Sequence, residues 1–132
     1  MARQGPASTN HVTIPYTPRP LQNEFHNRAQ RFNVAVCHRR FGKTVMALNH
    51  LLRDILLCQH PRPQGAYIAP TYTAAKRIAW AYLREYAGVI PGVKFNEAEL
   101  RCDLPDDRKI YLLGGDSADA LRGLFPDSVI LD

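Results

Sequence analysis

Residues 32 to 44 decide the fold of this chain, and they read FNVAVCHRRFGKT. The apolar run from Phe32 to Val36 predicts a buried strand, and the segment after Lys43 has the periodicity of a helix. Its last residues match G-x-x-x-x-G-K-[ST], the pattern of a phosphate-binding loop, except that Cys37 stands at the first glycine position. A chance Gly-Lys-Thr at a helix start is the competing interpretation, but the strand-loop-helix context favours a nucleotide site.

The loop carries the donors that a nucleotide phosphate requires. Backbone N–H groups in the first turn of the helix point at an anion, and the helix dipole adds positive charge there. Gly42 allows close approach, Lys43 reaches the β- and γ-phosphates, and the Thr44 hydroxyl is a ligand for Mg²⁺. The remaining residues of the predicted nucleotide-binding segment are Cys37, His38, Arg39, Arg40 and Phe41.

The composition is that of one globular domain. The chain has 132 residues, of which 45% are hydrophobic and 22% charged, and its net charge of +5 permits a polyanionic partner. The widely spaced Cys37, Cys58 and Cys102 match no metal-binding or disulfide pattern, which predicts reduced thiols. No apolar run is long enough to span a membrane, so no membrane partner is expected.

The amino-terminal part divides into a tail, an arm and a helix. Residues 1–13 are predicted to be a disordered tail, and residues 14–132 part of a folded domain. Proline-rich residues 14–20 predict an extended arm, and the spacing of apolar residues predicts a helix over 21–31. Gln22 offers an amide donor and acceptor that suit an adenine edge, although an ordinary exposed helix residue is an equal alternative.

After the loop, helices and strands alternate. The pattern predicts a helix over 43–58, a strand over 65–69, a helix over 72–86, a β-hairpin over 97–104 and 108–113, a helical turn over 117–121 and a strand over 127–132. The helix over 72–86 is expected to bury one face, which contains Ala75, Ile78, Ala79, Tyr82, Leu83 and Tyr86. This order predicts an α/β fold with a parallel sheet, flanking helices and an inserted β-hairpin. Ligands of such sheets bind beyond the carboxyl ends of the strands.

The apolar strand before Asp132 supplies a second motif. A carboxylate directly after a buried strand is the Walker B pattern, which helps to hold Mg²⁺ beside the nucleotide phosphates. A buried strand that ends in an acidic turn residue is the competing interpretation. Because the chain also carries Gly-Lys-Thr upstream, the interpretation of Asp132 as part of a nucleotide site is favoured. Because no polar residues follow Asp132, we expect the domain to be incomplete at its carboxyl end.

Five stretches in this order resemble one family. They are residues 37–44, 67–72, 99–114, 119–123 and 129–132, and the likeness covers about residues 14 to 132. The chain resembles the ATPase domain of the large terminase subunit of tailed bacteriophages, the motor that packages DNA. The resemblance implies that residues 14–132 are the N-terminal part of a P-loop ATPase domain of the RecA-like class, incomplete at its carboxyl end.

The resemblance also implies roles for matching positions. Lys43 and Thr44 correspond to the residues that bind phosphates and Mg²⁺, and Asp132 corresponds to the Walker B carboxylate. The other implied site residues are Arg39 or Arg40 as a γ-phosphate sensor, Gln22 beside adenine, and Arg122 as an arginine finger acting on a neighbour's ATP. For Arg122 the alternative is a helix C-terminal cation, stabilised by the helix dipole.

As a whole, the resemblance implies a Mg²⁺-dependent ATPase that moves double-stranded DNA into a procapsid in the host bacterial cytoplasm. Its implied partners are the portal protein, the small terminase subunit and further copies in a ring. The glutamate that follows the Walker B aspartate and a nuclease domain are absent from the sequence, so weak nucleotide binding and poor hydrolysis are expected of this polypeptide. The alternatives are a fragment of a superfamily-2-like helicase or translocase and an inactive prophage remnant that at most binds nucleotide.

Overall fold

A computed structural model of the chain describes residues 13–116, 122 and 124–132. The predicted tail, apart from its last residue, and the predicted helical turn over 117–121 lie outside the described residues. Residues 14–19 of the predicted arm have no helix or strand, whereas its last residue, Pro20, already belongs to helix α1. This helix spans Pro20–Arg28 and ends three residues before the predicted boundary. Proline at the first helical position is favoured because its missing N–H would have no partner there.

Helix α2 begins at the predicted position and spans Lys43–Leu57. Gly42 precedes it in the left-handed region, with φ of 84°, and its carbonyl oxygen accepts the first helical hydrogen bond from Met46 N–H at 2.9 Å. Leu48, Leu52 and Ile55 form an apolar stripe on one side of this helix and are buried. Burial of this stripe stabilises the helix that carries the loop residues.

The predicted strand before the loop is wrong. Residues 33–38 have no regular secondary structure, and Val34 and Val36 are 94% and 97% exposed. A strand requires a neighbour to which its N–H and C=O groups can bond, and the described sheet does not pair with this segment. The apolar pattern was a correct indication of β-propensity, but propensity alone does not make a strand.

The described strands form one sheet in the order β2-β3-β4-β1-β5. They are β1 Gln64–Ala69, β2 Lys94–Asn96, β3 Arg101–Leu104, β4 Arg108–Gly114 and β5 Ser128–Leu131. Strands β4, β1 and β5 run parallel, whereas β2-β3 and β3-β4 are antiparallel. The predicted hairpin is therefore confirmed as β3 and β4, and the α/β fold class is confirmed.

Helix α3 has three consecutive parts, namely α-helical Tyr72–Ala74, π-helical Ala75–Ala79 and α-helical Trp80–Ala87. The π-helical turn shifts the buried face, so the predicted stripe is partly wrong. Ile78 is 54% exposed and Tyr82 is exposed as well, whereas Trp80 lies in the core. A π-helical turn contains one residue more than an α-helical turn. A prediction from regular helical periodicity therefore assigns the side chains that follow it to the wrong face of the helix.

The core lies where α2 and α3 cover one face of the sheet. Its members include Leu48, Leu51 and Ile55 of α2, Leu83 of α3, and Ile110, Leu112 and Tyr67 of the strands. On the parallel strands, Ala69, Gly114 and Leu131 end at the same edge of the sheet. The beginning of α2 lies at that edge, because Lys43 contacts Asp132 directly after β5. Among the described residues, no helix is long and apolar enough to cross a membrane.

Candidate nucleotide site

Lys43, Thr44 and Asp132 meet at the carboxyl end of the parallel strands. Lys43 Nζ lies 2.8 Å from Asp132 Oδ1, and the Thr44 hydroxyl donates to Asp132 Oδ2 at 3.5 Å. The first turn of α2 supplies the lysine and threonine, whereas the residue directly after β5 supplies the carboxylate. The fold thus brings together the two motifs that the sequence places far apart.

The Lys43–Asp132 pair is charged on both sides. Partial burial raises the pKa of the Asp132 carboxyl, but hydrogen bonds from Lys43 and Tyr67 outweigh this effect and leave its pKa below the ordinary value. The hydrogen bond to Asp132 raises the pKa of Lys43. The Lys43 side chain is 51% exposed, so solvent screens the pair and the ammonium is accessible to an incoming anion.

Tyr67 of β1 is a third contact of Asp132 and was not identified from the sequence. Its hydroxyl donates a hydrogen bond to Asp132 Oδ2, and its ring is only 2% exposed. Burial, followed by the hydrogen bond to Asp132, raises the pKa of this hydroxyl. A tyrosine within an apolar strand gives no sequence signal of such a role, since buried tyrosines generally find some polar partner.

Gln22 and Arg19 hold the loop from the side of the arm. The Gln22 amide donates to Phe41 O at 2.9 Å and to Gly42 O at 3.3 Å, and its oxygen accepts from Arg19 N–H at 2.8 Å. Arg19 Nη2 donates to Arg40 O at 3.1 Å and to Phe41 O as well. Both ends of the buried Gln22 amide are therefore engaged by backbone, and its contact with adenine stays a prediction.

The rest of the predicted loop is more open. His38, Arg39 and Arg40 are exposed, whereas Cys37 and Phe41 are half-buried. His38 Nδ1 lies 2.6 Å from Arg39 O. These residues are close to Lys43 because they directly precede it in the chain. The choice between Arg39 and Arg40 as a sensor of the γ-phosphate stays open.

The predicted arginine finger lies in a different segment. Arg122 is exposed in a turn, and the flanking residues 117–121 and 123 lie outside the described part of the chain. Its contact with a neighbour's nucleotide stays a prediction.

The donor set suits a Mg²⁺-bound phosphate. A hydroxyl and a carboxylate are the hard oxygen ligands that Mg²⁺ prefers, and Thr44 and Asp132 place one of each within 3.5 Å. The Lys43 ammonium and the N–H groups at the start of α2 face the same place with positive charge. At the loop, a Cβ on Gly42 would lie 2.5 Å from Gln22 Nε2, so only glycine fits the clamped conformation.

A second polar cluster lies at the opposite end of the sheet. His60 Nδ1 is 2.6 Å from Asp127 Oδ1, and the Asp127 carboxylate also accepts a hydrogen bond from Gln64 N–H at 3.0 Å. The Cys58 Sγ lies within 4.8 Å of a ring nitrogen of His60 and a carboxylate oxygen of Asp127. The hydrogen bond from His60, followed by that from Gln64, lowers the pKa of Asp127. The cluster fastens the connection between α2 and β1 to the start of β5.

Comparison with known proteins identifies a similar fold. Protein-family models and curated proteins give no match to this sequence. Among solved structures, the large terminase ATPase domain of Thermus phage P74-26 is 28% identical, with a TM-score of 0.71 over 90% of this chain and 54% of that chain. A mutant of the same domain is 26% identical, with a TM-score of 0.69 and the same coverage. The resemblance seen in the motifs is thereby confirmed: this chain has the fold of a large terminase ATPase domain and spans about half the length of those solved structures.

Proposed function

We propose that this chain binds Mg²⁺-ATP as the nucleotide-binding part of a viral DNA-packaging motor. The observation that supports this most strongly is the meeting of Lys43, Thr44 and Asp132 at the carboxyl edge of the parallel strands. This edge is where open α/β sheets bind ligands. The similarity to a large terminase ATPase domain makes ATP the expected nucleotide.

In this proposal each residue has a definite task. Lys43 leaves Asp132 and binds the β- and γ-phosphates, while the N–H groups of the first turn of α2 surround the same oxygens. Thr44 and Asp132 would hold Mg²⁺, which when bound would neutralise charge on the phosphates. Gln22 and Arg19 donate hydrogen bonds to the carbonyl oxygens of the loop and so keep these oxygens turned away from the phosphates.

The larger assignment follows the family resemblance. ATP hydrolysis would be coupled to movement of double-stranded DNA into a procapsid, within a ring that docks on a portal protein and works with a small terminase subunit in the host cytoplasm. Arg39 or Arg40 would sense the γ-phosphate, and Arg122 would stabilise charge on a neighbouring subunit's ATP. A net charge of +5 favours contact with the DNA backbone.

The direct test is nucleotide affinity measured by calorimetry with a non-hydrolysable ATP analogue and Mg²⁺. Lys43→Ala removes a charge-assisted phosphate contact, so we expect affinity to fall about tenfold to 100-fold. Lys76→Ala is the matched control, because Lys76 is an exposed lysine on α3 that is not part of the predicted nucleotide-binding segment. Equal affinities for the Lys43→Ala and Lys76→Ala proteins, or no binding by the unaltered chain, would contradict the proposal.

A further inference from the structure

We propose that Tyr67 is the positioning residue that keeps the Asp132 carboxylate aimed at the Mg²⁺ site once Lys43 has moved onto the phosphates. This inference rests on the proposed function and adds a residue to it. Tyr67 does not touch the nucleotide in this proposal, but acts through Asp132.

The argument begins with the contacts of the carboxylate. Within residues 13–116 and 124–132, three side chains bond to Asp132, namely Lys43, Thr44 and Tyr67. In the loaded site, Lys43 is needed by the phosphates and the Thr44 hydroxyl by the metal ion. Tyr67 is the remaining contact of the three, and it has no competing task in the site.

Tyr67 is also the contact that the fold holds most firmly. It lies in the middle of β1, opposite Leu112 of β4 on one side and Ile130 of β5 on the other, and its ring belongs to the buried core. Close packing restricts the ring to one position, whereas the half-exposed lysine can swing away. From this fixed ring the hydroxyl donates its hydrogen bond to Asp132 Oδ2.

Orientation of this carboxylate matters because a metal site depends on the groups that fix its ligands. Hydrogen bonds to ligating carboxylates hold them in the binding orientation, and their loss typically weakens metal affinity by tenfold or more. Without the Tyr67 hydroxyl, Asp132 would lose the one of these three contacts that needs no rearrangement when Lys43 leaves it. Tyr67→Phe removes this oxygen but retains the buried ring.

The experiment measures the affinity of a non-hydrolysable ATP analogue twice, with Mg²⁺ and with EDTA. For Tyr67→Phe we expect the gain in affinity due to Mg²⁺ to shrink about tenfold, while the affinity in EDTA stays that of the unaltered chain. Tyr111→Phe is the control, since Tyr111 lies on β4 beside Ala66 of β1. This substitution removes a tyrosine hydroxyl from the same sheet. Asp132→Asn should abolish the Mg²⁺ gain, and adding Tyr67→Phe to it should cause no further loss.

The outcomes separate this inference from the proposed function. If the unaltered chain binds the analogue with a Mg²⁺ gain that Tyr67→Phe leaves intact, the role of Tyr67 is overturned and the nucleotide site stands. An equal loss in Mg²⁺ and in EDTA would show a general packing defect and would also overturn it. Absence of binding by the unaltered chain would overturn the proposed function itself.

Discussion

The loop before α2 turns through two residues in the left-handed region, Arg40 with φ of 64° and Gly42 with φ of 84°. At Gly42 the conformation is required by close packing as well, because the Gln22 amide and the Arg19 guanidinium occupy the place of a side chain. These two groups bond to the carbonyl oxygens on either side of the turn. The position of a single glycine thus joins the loop to the arm and α1.

Gly42→Ala is expected to destabilise the chain and to weaken nucleotide binding. The left-handed conformation costs a residue with a Cβ about 1–2 kcal/mol, and the added methyl group must also displace Gln22 Nε2. Urea denaturation measures the first effect, and analogue binding measures the second.

Gly92→Ala separates the two contributions. Gly92 has a nearly identical φ of 85°, but the nearest atom to its added Cβ would be Pro105 Cγ at 3.7 Å, an ordinary contact. The control should therefore lose stability through the backbone alone and keep its nucleotide affinity. Equal losses of stability with unchanged affinity in both proteins would show that the Gln22 and Arg19 contacts have no part in holding the loop.

At the scale of elements, helix α3 shows how one wide turn redirects a whole face. The π-helical residues Ala75–Ala79 turn Ile78 towards solvent and bring Trp80 into the core. Trp80 packs edge-to-face on Phe95 of β2, with ring centroids 5.7 Å apart. The inserted turn therefore connects α3 to the antiparallel end of the sheet.

A pair of substitutions tests this register. Leu83→Ala removes a fully buried side chain and should lower the free energy of unfolding by about 2–5 kcal/mol. Ile78→Gln replaces an exposed side chain and should change it by no more than about 0.5 kcal/mol. Denaturation with urea gives both values. A loss for Ile78→Gln as large as that for Leu83→Ala would instead place Ile78 in the core, as regular helical periodicity predicts.

At the scale of the whole molecule, a chain of polar contacts crosses from the arm to β5. The Tyr16 hydroxyl lies 2.7 Å from His26 Nε2, and His26 Nδ1 lies 2.9 Å from His50 Nδ1. His50 Nε2 is 3.7 Å from Asp54, which also accepts a hydrogen bond from Ser128 of β5 at 3.2 Å. These contacts connect the arm, α1, α2 and β5.

This network makes stability depend on pH. Burial, followed by the nearby His50 and Arg53, lowers the pKa of His26 to about 4, although Asp54 opposes the shift. In the unfolded chain the pKa of histidine is about 6.5. Between pH 4 and pH 6.5 the folded state therefore binds fewer protons than the unfolded state. The contribution of His26 to the free energy of unfolding is complete above pH 6.5 and is lost as pH falls towards 4.

We expect the free energy of unfolding to decrease more between pH 7 and pH 5 in the unaltered chain than in His26→Gln, whose side chain does not titrate. Urea denaturation at the two pH values measures both decreases, and the comparison removes the contribution of other groups. His26→Gln retains a polar side chain that can bond to Tyr16. Parallel pH profiles for the two proteins would mean that His26 is not the titrating group.

Local features of the fold were predictable from particular residues. The Gly42-Lys43-Thr44 sequence located the start of α2, the turn between Leu104 and Arg108 located the hairpin, and Asp132 marked the end of β5. Each of these signals is short-range, because caps, turns and apolar runs act over a few residues. The same reasoning could not find Tyr67 or Arg19, whose partners are distant in sequence.

The sequence by itself determined the order of α1, α2, β1, α3, the β3–β4 hairpin and β5, and it marked Gly42-Lys43-Thr44 and Asp132 as candidate motifs of a nucleotide site. Only the tertiary structure decided that Lys43, Thr44 and Asp132 meet, that Tyr67 supports the carboxylate, and that Val34 and Val36 stay outside the described sheet. The physical reason is that local propensity selects conformations within a segment, whereas strand pairing and side-chain contacts depend on which distant segments pack together.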